Sequence, residues 1–370
     1  MMWRRLLALV HKEFLALLKD PRSRTVLIVP PLMQLLVFGY AASFDLKDVP
    51  FAVYDEDGGA AARELVAHFA GAPAFRLVAT LRDEQALRPL LDTRRALLVL
   101  RLGPRFGADL AAGRGARVQV IIDGRNSNTA LLALNYVRGI VQRYNEDWLA
   151  ARGRAGPPAH LATRAWFNPD LESRWFFVPG IIGMLTLVTA MLVTALSVAR
   201  EREQGTFDQL LVTPLRPSEI LLGKAIPGLL IGLAQASVVL LLATSWFRVP
   251  FLGGLGAFYL GLTLFLLSGV GVGLLISAMA ATQQQGLLGA FLFMVPAVIL
   301  SGFATPIANM PEAVQALTWV DPLRYFLVVL RKLFLEGADL ALLLPQLWPM
   351  ALIALFTLTL ATWLFRHRMY

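Results

Sequence analysis

The chain has 370 residues, 57% of them hydrophobic and 16% charged, and its mean hydropathy is +0.61. A water-facing globular surface does not accommodate so much apolar area, so lipid is the expected solvent for much of the chain. The absence of cysteine excludes thiol catalysis, disulfides and cysteine-ligated zinc, and the four scattered histidines argue against a metal site. The net charge of +9 comes from Lys and Arg that are scattered or flank apolar segments, which argues against nucleic-acid binding.

Residues 1–24 are predicted to contain an amphipathic helix that lies at the membrane interface. Between Trp3 and Leu18 the large apolar side chains follow one helical face, whereas the charged residues Arg4, Arg5, Lys12 and Glu13 lie elsewhere on the helix. An ordinary amphipathic helix packed on a protein core would show the same pattern, but no neighbouring soluble segment offers such a core. We therefore expect this helix to lie against the bilayer.

Residues 25–43 are the first segment long enough to cross a membrane, which takes about 20 mostly apolar residues. A cleaved signal peptide is the alternative, because Ala41, Ala42 and Ser43 loosely resemble a cleavage site. The segment before it contains Lys19 and Asp20 and is too long for the basic region of a signal peptide. The sequence therefore favours an uncleaved transmembrane span.

Residues 44–175 have the composition of a soluble domain, with charges throughout and short β-type runs that alternate with helical ones. This alternation predicts an α/β domain. A further helix, from Thr129 to Ala151, is predicted to lead back toward the membrane. The predicted strands are Pro50–Tyr54, Phe75–Thr80, Ala96–Arg101 and Arg117–Asp123, and the predicted helices between them are Gly59–Phe69, Asp83–Leu91 and Pro104–Ala112.

Five further apolar segments bring the predicted number of transmembrane helices to six. Basic residues of the short loops concentrate before the first span, in the loop 200–219 and in the tail 366–370, so both termini are predicted to be cytoplasmic. The predicted fold is an α-helical polytopic membrane protein with an extracytoplasmic α/β domain inserted between helices 1 and 2. The five later spans are residues 176–199, 220–247, 252–281, 286–304 and 341–365.

The sequence lacks the residues that most catalytic or ion-coupled membrane proteins need. No G-x-x-x-x-G-K-[ST] motif occurs, because Gly223-Lys224 lacks the upstream glycine and is followed by Ala225, so the chain is not expected to hydrolyse ATP. The six spans contain no Asp, Glu or His for proton or ion coupling, or for intramembrane catalysis. Gly269 and Gly273 form a G-x-x-x-G pattern whose simplest interpretation is close helix packing.

The loop 200–214 carries the most informative local pattern. Gly205 can end the preceding helix in a left-handed cap, and Thr206 with Gln209 can start a short helix as a capping box. The apolar side chains of that helix lie at i, i+3 and i+4 and are expected to face the cytoplasm, either against the bilayer or against a partner protein. Nearby acidic residues disfavour anionic lipid, which makes a partner the better interpretation. The candidate coupling residues are Glu201, Glu203, Gly205, Thr206, Phe207, Leu210, Leu211 and Pro214.

This loop, together with residues 217–224, resembles the E-x-x-x-G-T-x-x-x-L-x-x-x-P signature and following segment of ABC type-2 exporter permeases. Residues 12–22 and 38–41 are similar to the N-terminus of that family, and residues 301–311 and 322–326 to its extracytoplasmic re-entrant segment. The insertion after the first span resembles the multidrug-efflux branch. The resemblance implies export of an amphipathic or drug-like substrate across the bacterial inner membrane.

The same resemblance implies a set of partners. ATP and Mg would bind to a separate cytoplasmic ABC ATPase dimer, and this chain would bind no cofactor of its own. A second permease, identical or related, would complete the membrane assembly, and a periplasmic adaptor is a further partner that the resemblance leaves open. Competing hypotheses from the residues alone are a membrane-anchored receptor or envelope-assembly protein, for which five spans after the domain are excessive, and an intramembrane enzyme.

Residues 305–340 are predicted to form a re-entrant segment on the extracytoplasmic side. Prolines break any continuous helix there, and Met310, Leu317, Trp319, Phe326 and Leu327 are expected to hold the segment at the interface. Non-helical backbone at membrane depth persists only where it is buried in protein or lines a cavity, so the segment is a candidate exit gate. The candidate gate residues are Gly302, Pro306, Asn309, Pro311, Pro322 and Tyr325.

Overall fold

The structure, a computed structural model, describes residues 2–19, 21–41, 46, 48–125, 127–153, 167–169, 172–207, 213 and 215–368. It consists of two compact units. A helical unit comprises Met1–Ala42 and Ala165–Tyr370, and an α/β unit comprises Ser43–Arg164.

The helical unit is built mainly from long apolar helices. Five of the described helices are long and apolar enough to cross a membrane, and they coincide with the five later predicted spans: Arg174–Glu203, Pro217–Ser245, Leu255–Met279, Gln283–Leu300 and Leu340–His367. The chain is therefore a polytopic membrane protein. The helices of this unit are α1 (Met2–Lys19), α2 (Pro21–Ala41), α7 (Arg174–Glu203), α8 (Pro217–Ser245), α9 (Leu255–Met279), α10 (Gln283–Leu300), α11 (Glu312–Leu317), α12 (Pro322–Arg331) and α13 (Leu340–Arg368).

The first predicted span forms a helix, but its described apolar part is short. Helix α2 runs from Pro21 to Ala41, and the apolar stretch Ile28–Tyr40 falls below the length that crosses a bilayer unaided. A bent pair, Glu312–Val320 with Pro322–Glu336, would be long enough if it were counted as one span, but its two halves meet at 84°. Within the described residues, five helices are thus long and apolar enough to cross a membrane, or six segments if the bent pair is counted as one.

Small residues let the central helices α7 and α9 approach closely. Both helices are largely buried within the unit, whereas α8, α10 and α13 expose much apolar surface, as lipid-facing helices do. A Cβ atom at Gly273 of α9 would lie 2.8 Å from the carbonyl oxygen of Met191 in α7. A Cβ atom at Gly271 would collide with Thr357 of α13. The glycine pattern of α9 is therefore used for packing, as predicted.

The α/β unit contains a four-stranded sheet of β1 (Val49–Asp55), β2 (Phe75–Leu81), β3 (Leu98–Leu102) and β4 (Val118–Ile122). The strands lie in the order β2-β1-β3-β4. Strands β1, β2 and β3 are parallel, and β4 pairs antiparallel with β3 at the edge. Helices α3 and α6 pack on one face of the sheet and α4 on the other. The elements lie within a few residues of their predicted positions: β1 (Val49–Asp55), α3 (Ala60–Ala70), β2 (Phe75–Leu81), α4 (Leu87–Asp92), β3 (Leu98–Leu102), α5 (Phe106–Ala111), β4 (Val118–Ile122) and α6 (Ser127–Ala150).

Candidate functional site

The C-terminus of α7 ends in the left-handed glycine cap that the sequence predicts. Gly205 has a φ of +70°, where a side chain would be strained. The amide of Thr206 donates to the Glu201 carbonyl at 3.0 Å, and the amide of Gly205 donates to the Arg202 carbonyl at 3.1 Å. These two bonds form a Schellman motif, which turns the chain sharply away from the helix axis.

Glu201 is buried, contrary to its predicted role on a partner-facing surface. Its Oε1 atom lies 2.6 Å from Nζ of Lys12 in α1, and its Oε2 atom lies 2.7 Å from Nζ of Lys224 in α8. The same Lys224 ammonium lies 3.0 Å from Oε1 of Glu13 and 3.3 Å from the Ser197 carbonyl. We refer to Lys12, Glu13, Glu201 and Lys224 as the ionic cluster.

The ionic cluster is electrically balanced, with two cations and two carboxylates. Lys224 has no exposed side-chain surface, and Glu13 and Glu201 retain only about a tenth of theirs. Burying one such charge alone would be costly, and the mutual pairing offsets that cost only while all partners stay in place. The cluster therefore joins the second turn of α8 and the last turns of α7 to the N-terminal helix.

Sequence reasoning missed this cluster because it searched the spans for Asp, Glu and His but not for Lys. Lys224 lies inside the predicted span 220–247, but no partner was predicted for its charge. The sequence did contain a signal for a buried ion pair. Lys224 lies in an apolar run, and Glu13 lies on an otherwise apolar stripe of its helix.

Helix α1 packs on α8, whereas the sequence predicted an interfacial helix because no neighbouring soluble segment offered it a core. Leu9, Glu13 and Leu17 form a buried stripe at i, i+4 and i+8, and a Cβ atom at Gly223 of α8 would collide with Leu9. Leu7 and Leu18 remain exposed on the other side. One face of α1 thus binds α8 and a second apolar face stays available to lipid.

The two residues after Glu201 hold the turn between α9 and α10. A guanidinium nitrogen of Arg202 donates to the carbonyls of Ala278 and Ala280 at 3.0 and 3.1 Å, at the C-terminus of α9. A carboxylate oxygen of Glu203 accepts from the amide of Gln283 at 2.8 Å, at the N-terminus of α10. The cation of Arg202 thus lies at the partly negative C-terminus of α9, and the carboxylate of Glu203 lies at the partly positive N-terminus of α10.

The prediction that Phe207 faces the cytoplasm is wrong. Its side chain is only 8% exposed, and its ring lies 6.0 Å from that of Phe365 in α13, in an edge-to-face arrangement. The guanidinium of Arg202 lies 5.0 Å from the ring centre on another side. Burying the aromatic surface of Phe207 against α13 is more favourable than leaving it in contact with water. Leu210 and Leu211, which share the predicted face, lie outside the described residues, as does Pro214, which was predicted to limit the length of the helix.

Helical structure in the predicted re-entrant segment is interrupted at its prolines. Gly302, with a φ of +83°, follows the end of α10, and Pro306 and Pro311 each precede a short helix. Pro322 occupies the first position of α12, where its missing amide costs no hydrogen bond. The hydroxyl of Tyr325 donates to the Trp319 carbonyl at 2.9 Å and ties the two halves of the bend together.

The six candidate gate residues do not form one cluster. Pro306, Asn309 and Pro311 are exposed, Gly302 is half-buried, and Pro322 and Tyr325 are buried. The prediction that Phe326 and Leu327 lie at the membrane interface is wrong, because both are buried against α7 and α9 in the core of the helical unit. Their position follows from the amphipathicity of α12, whose apolar face points inward.

An aromatic cluster connects this segment to the start of α7. The ring of Phe303 stacks on Phe176 at 6.5 Å and meets Phe177 edge-to-face at 6.0 Å. A Cβ atom at Gly180 would collide with Phe303, so the glycine makes room for that ring. The Arg331 guanidinium of α12 lies 4.2 Å from the Phe176 ring centre. One helix, α7, therefore contacts the ionic cluster at one end and the re-entrant segment at the other.

Comparisons with known proteins agree with this architecture. The profile of a family described as "ABC-2 family transporter protein" matches residues 23–363. The chain is 42% identical over 367 residues to the probable multidrug ABC transporter permease YbhR of Escherichia coli K12, covering 99% of this chain and all of the relative. It is 34% identical to the probable multidrug ABC transporter permease YbhS of the same strain, over 90% of this chain and 89% of the relative. It is 28% identical to the inner membrane transport permease YhhJ of Escherichia coli K12, over 94% of both chains.

The family profile matches most of the chain, and the relatives align with it over nearly their full length. These two findings establish the family of this chain. The chain belongs to the ABC-2 transporter family.

Proposed function

We propose that this chain is the membrane-spanning permease subunit of an ABC exporter, driven by ATP that a separate ATPase subunit hydrolyses. Family membership and the names of the relatives support the permease role. The absence of a phosphate-binding motif in the sequence supports a separate ATPase. The proposed substrate is an amphipathic or drug-like molecule, because two relatives are named as probable multidrug permeases.

One observation carries the mechanistic part of this proposal: residues 201–207 contact five other helices. Glu201 binds the lysines of α1 and α8. Arg202 and Glu203 bind the ends of α9 and α10, and Phe207 packs on α13. A force applied to this loop therefore reaches most of the helical unit through short, direct contacts.

The contacts also suggest how the force is transmitted. Helices behave as rigid rods, so a displacement of the end of α7 moves its other end, at the aromatic cluster of the re-entrant segment. The buried ion pairs resist separation, because an unpaired charge would remain in a low-dielectric environment. We infer that α1, α7 and α8 move together and that the relative motion occurs elsewhere in the unit.

The proposed arrangement in the membrane follows the distribution of basic residues. Helix α2 would be the first of six spans, both termini and the α7–α8 loop would be cytoplasmic, and the α/β unit would be extracytoplasmic in a bacterial inner membrane. The ATPase dimer would dock on the loop side, and a second permease would complete the assembly. The bent segment around α11 and α12 would line the exit.

The deciding experiment is purification of the permease in mild detergent together with the ATPase that accompanies it. We expect a stable complex whose ATP turnover is stimulated by the permease. Glu203→Gln should retain the complex yet lower the stimulation, because it loosens the start of α10, whereas exposed Arg216→Ala should match the wild type. Purification without any ATPase, or turnover that ignores the permease, would refute the proposal.

A further inference from the structure

The α/β unit contains a half-open cavity of about 470 Å³ beneath its edge strand, between β4, α5 and α6. This volume lies in the range of small-molecule binding sites, which are mostly apolar with a few polar groups. The cavity lies wholly within the α/β unit, and none of its residues belongs to the sites described above.

The cavity exists because α6 covers the centre of the sheet but not its edge. Val118 and Val120 of β4 pair with Leu102 and Leu100 of β3 and lie on the same face of the sheet. The two leucines are fully buried, whereas the two valines are only half-buried. An apolar face that the fold leaves partly uncovered is available to an apolar ligand.

Helix α6 presents an apolar row and a polar row to this cavity. Leu134 and Val141 line it on the apolar side, and Arg138, Gln142 and Asn145 line it on the polar side at i, i+4 and i+7. These two rows divide the cavity into an apolar body and a polar rim.

Arg138 gives the rim its charge. Its guanidinium reaches Oδ1 of Asn135 at 3.4 Å and forms no ion pair with a carboxylate anywhere in the described part of the chain. Gln142 donates to Glu146 at 3.1 Å, so its amide is already oriented by a neighbour on the same helix. The rim thus offers a cation with free donors beside an apolar surface, which complements an anionic group joined to an apolar body.

We propose that this cavity binds an amphipathic organic anion, with the apolar body between β4 and α6 and the anionic group on Arg138. The site belongs to the α/β unit and stands independently of the proposed transport function. Because Arg138 is open to solvent, its contribution is modest, and the anion should bind about fivefold more tightly than an uncharged analogue.

The test is protection of a single cysteine, which the cysteine-free sequence permits. Full-length Leu134→Cys in lipid nanodiscs is treated with a maleimide, with or without dodecanoate below its micelle concentration, and with dodecanol as the uncharged match. We expect dodecanoate to slow labelling as much as dodecanol does, but at about one fifth of the dodecanol concentration. Labelling of Arg143→Cys, on the exposed side of α6, should be unaffected by either compound.

A second substitution in the Leu134→Cys background tests the charge. Arg138→Gln should remove the preference for dodecanoate over dodecanol, and Arg143→Gln, which removes an equal charge outside the cavity, should keep it. Equal labelling rates with and without dodecanoate would overturn the proposal, as would equal protection by both compounds. Protection of Leu134→Cys before any compound is added would also overturn it, because a second protein chain would then cover the cavity.

Discussion

The Nζ atom of Lys224 lies 2.7 Å from Oε2 of Glu201, and both side chains are buried where α7 ends and α8 begins. The same ammonium also binds Glu13 of the N-terminal helix. Three segments that are distant in the sequence therefore share one buried cation. This arrangement makes the ionic cluster the most sensitive point of the helical unit to substitution.

Lys224→Met should destabilise the protein strongly. Removing Lys224 leaves the buried Glu13 without its cation and leaves Glu201 paired with Lys12 alone. Breaking a buried pair costs roughly 3–5 kcal/mol. Thermal unfolding in detergent measures the loss. Lys19→Met, which removes an exposed lysine of α1, is the control and should change stability by less than about 0.5 kcal/mol.

The double variant Lys224→Met with Glu201→Gln separates the ion pair from simple packing. If the two side chains interact as described, the double variant should lose less stability than the sum of the single variants. Strict additivity would contradict the assignment of the cluster.

Gly205→Val should disturb coupling without preventing membrane insertion. The left-handed conformation at a φ of +70° costs a side-chain-bearing residue roughly 1–2 kcal/mol, and a β-branched residue tolerates it least. The chain would then leave α7 in a different direction and misplace Phe207. We expect ATP turnover in the complex to fall, whereas Gly205→Asn, which accepts this conformation more readily, should retain most of it. Full turnover in Gly205→Val would show that the cap is dispensable.

Phe207 and Leu210 should respond to substitution in different ways. Phe207→Ala removes a buried ring from contact with Phe365 and should lower stability by about 3–5 kcal/mol, as measured by thermal unfolding. Leu210→Asp should leave the permease folded but release the ATPase, because truncating a docking anchor costs about 2 kcal/mol or more. Leu210→Asp protein that inserts, holds the ATPase and supports full turnover would exclude this loop as the coupling element.

The membrane topology can be measured with single cysteines, since the sequence has none of its own. An impermeant reagent applied to intact cells should label Ala60→Cys and spare Ser23→Cys and His367→Cys, because the basic short loops place both termini inside. Permeabilised cells provide the positive control for all three. Labelling of Ser23→Cys with Ala60→Cys spared would invert the topology.

The segment 44–164 should fold alone and lose stability in acid. It has its own sheet and core, so a cooperative thermal transition is expected. Arg125 donates to both oxygens of Asp123, at 2.8 and 2.7 Å, and this hydrogen bonding lowers the pKa of Asp123 to about 2. The unfolded value is about 3.9, so the ion pair stabilises the fold above pH about 4 and is lost as the pH falls toward 2.

The measurement compares the unfolding midpoint of that segment between neutral and acidic pH. Asp123→Asn should reduce the fall of the unfolding midpoint between neutral and acidic pH. Asp92→Asn, which changes an exposed surface aspartate, should leave that fall unchanged. A decline of equal size in wild type and Asp123→Asn would show that this pair does not govern the acid response.

By itself, the sequence determined the features that depend on local pattern. Each of these patterns occupies about 30 residues or fewer: a long apolar run, an alternating strand-like run, or a glycine followed by a polar capping residue. Hydrophobic periodicity and backbone sterics determine the structure that each pattern adopts. The five later spans, the four strands and the left-handed Gly205 follow from such patterns. The signature in the loop 200–214 likewise sufficed to indicate the family.

Only the tertiary structure decided which side chains meet. Glu13 and Lys224 are 211 positions apart, and no local pattern relates a charged residue of one helix to the end of another. The sequence marked Phe207 as apolar, but contact with Phe365 determined that it packs inward. The cavity beneath β4 likewise depends on how far α6 extends across the sheet. Burial and charge pairing are properties of the assembled helices and strands, because each depends on which surfaces water can no longer reach.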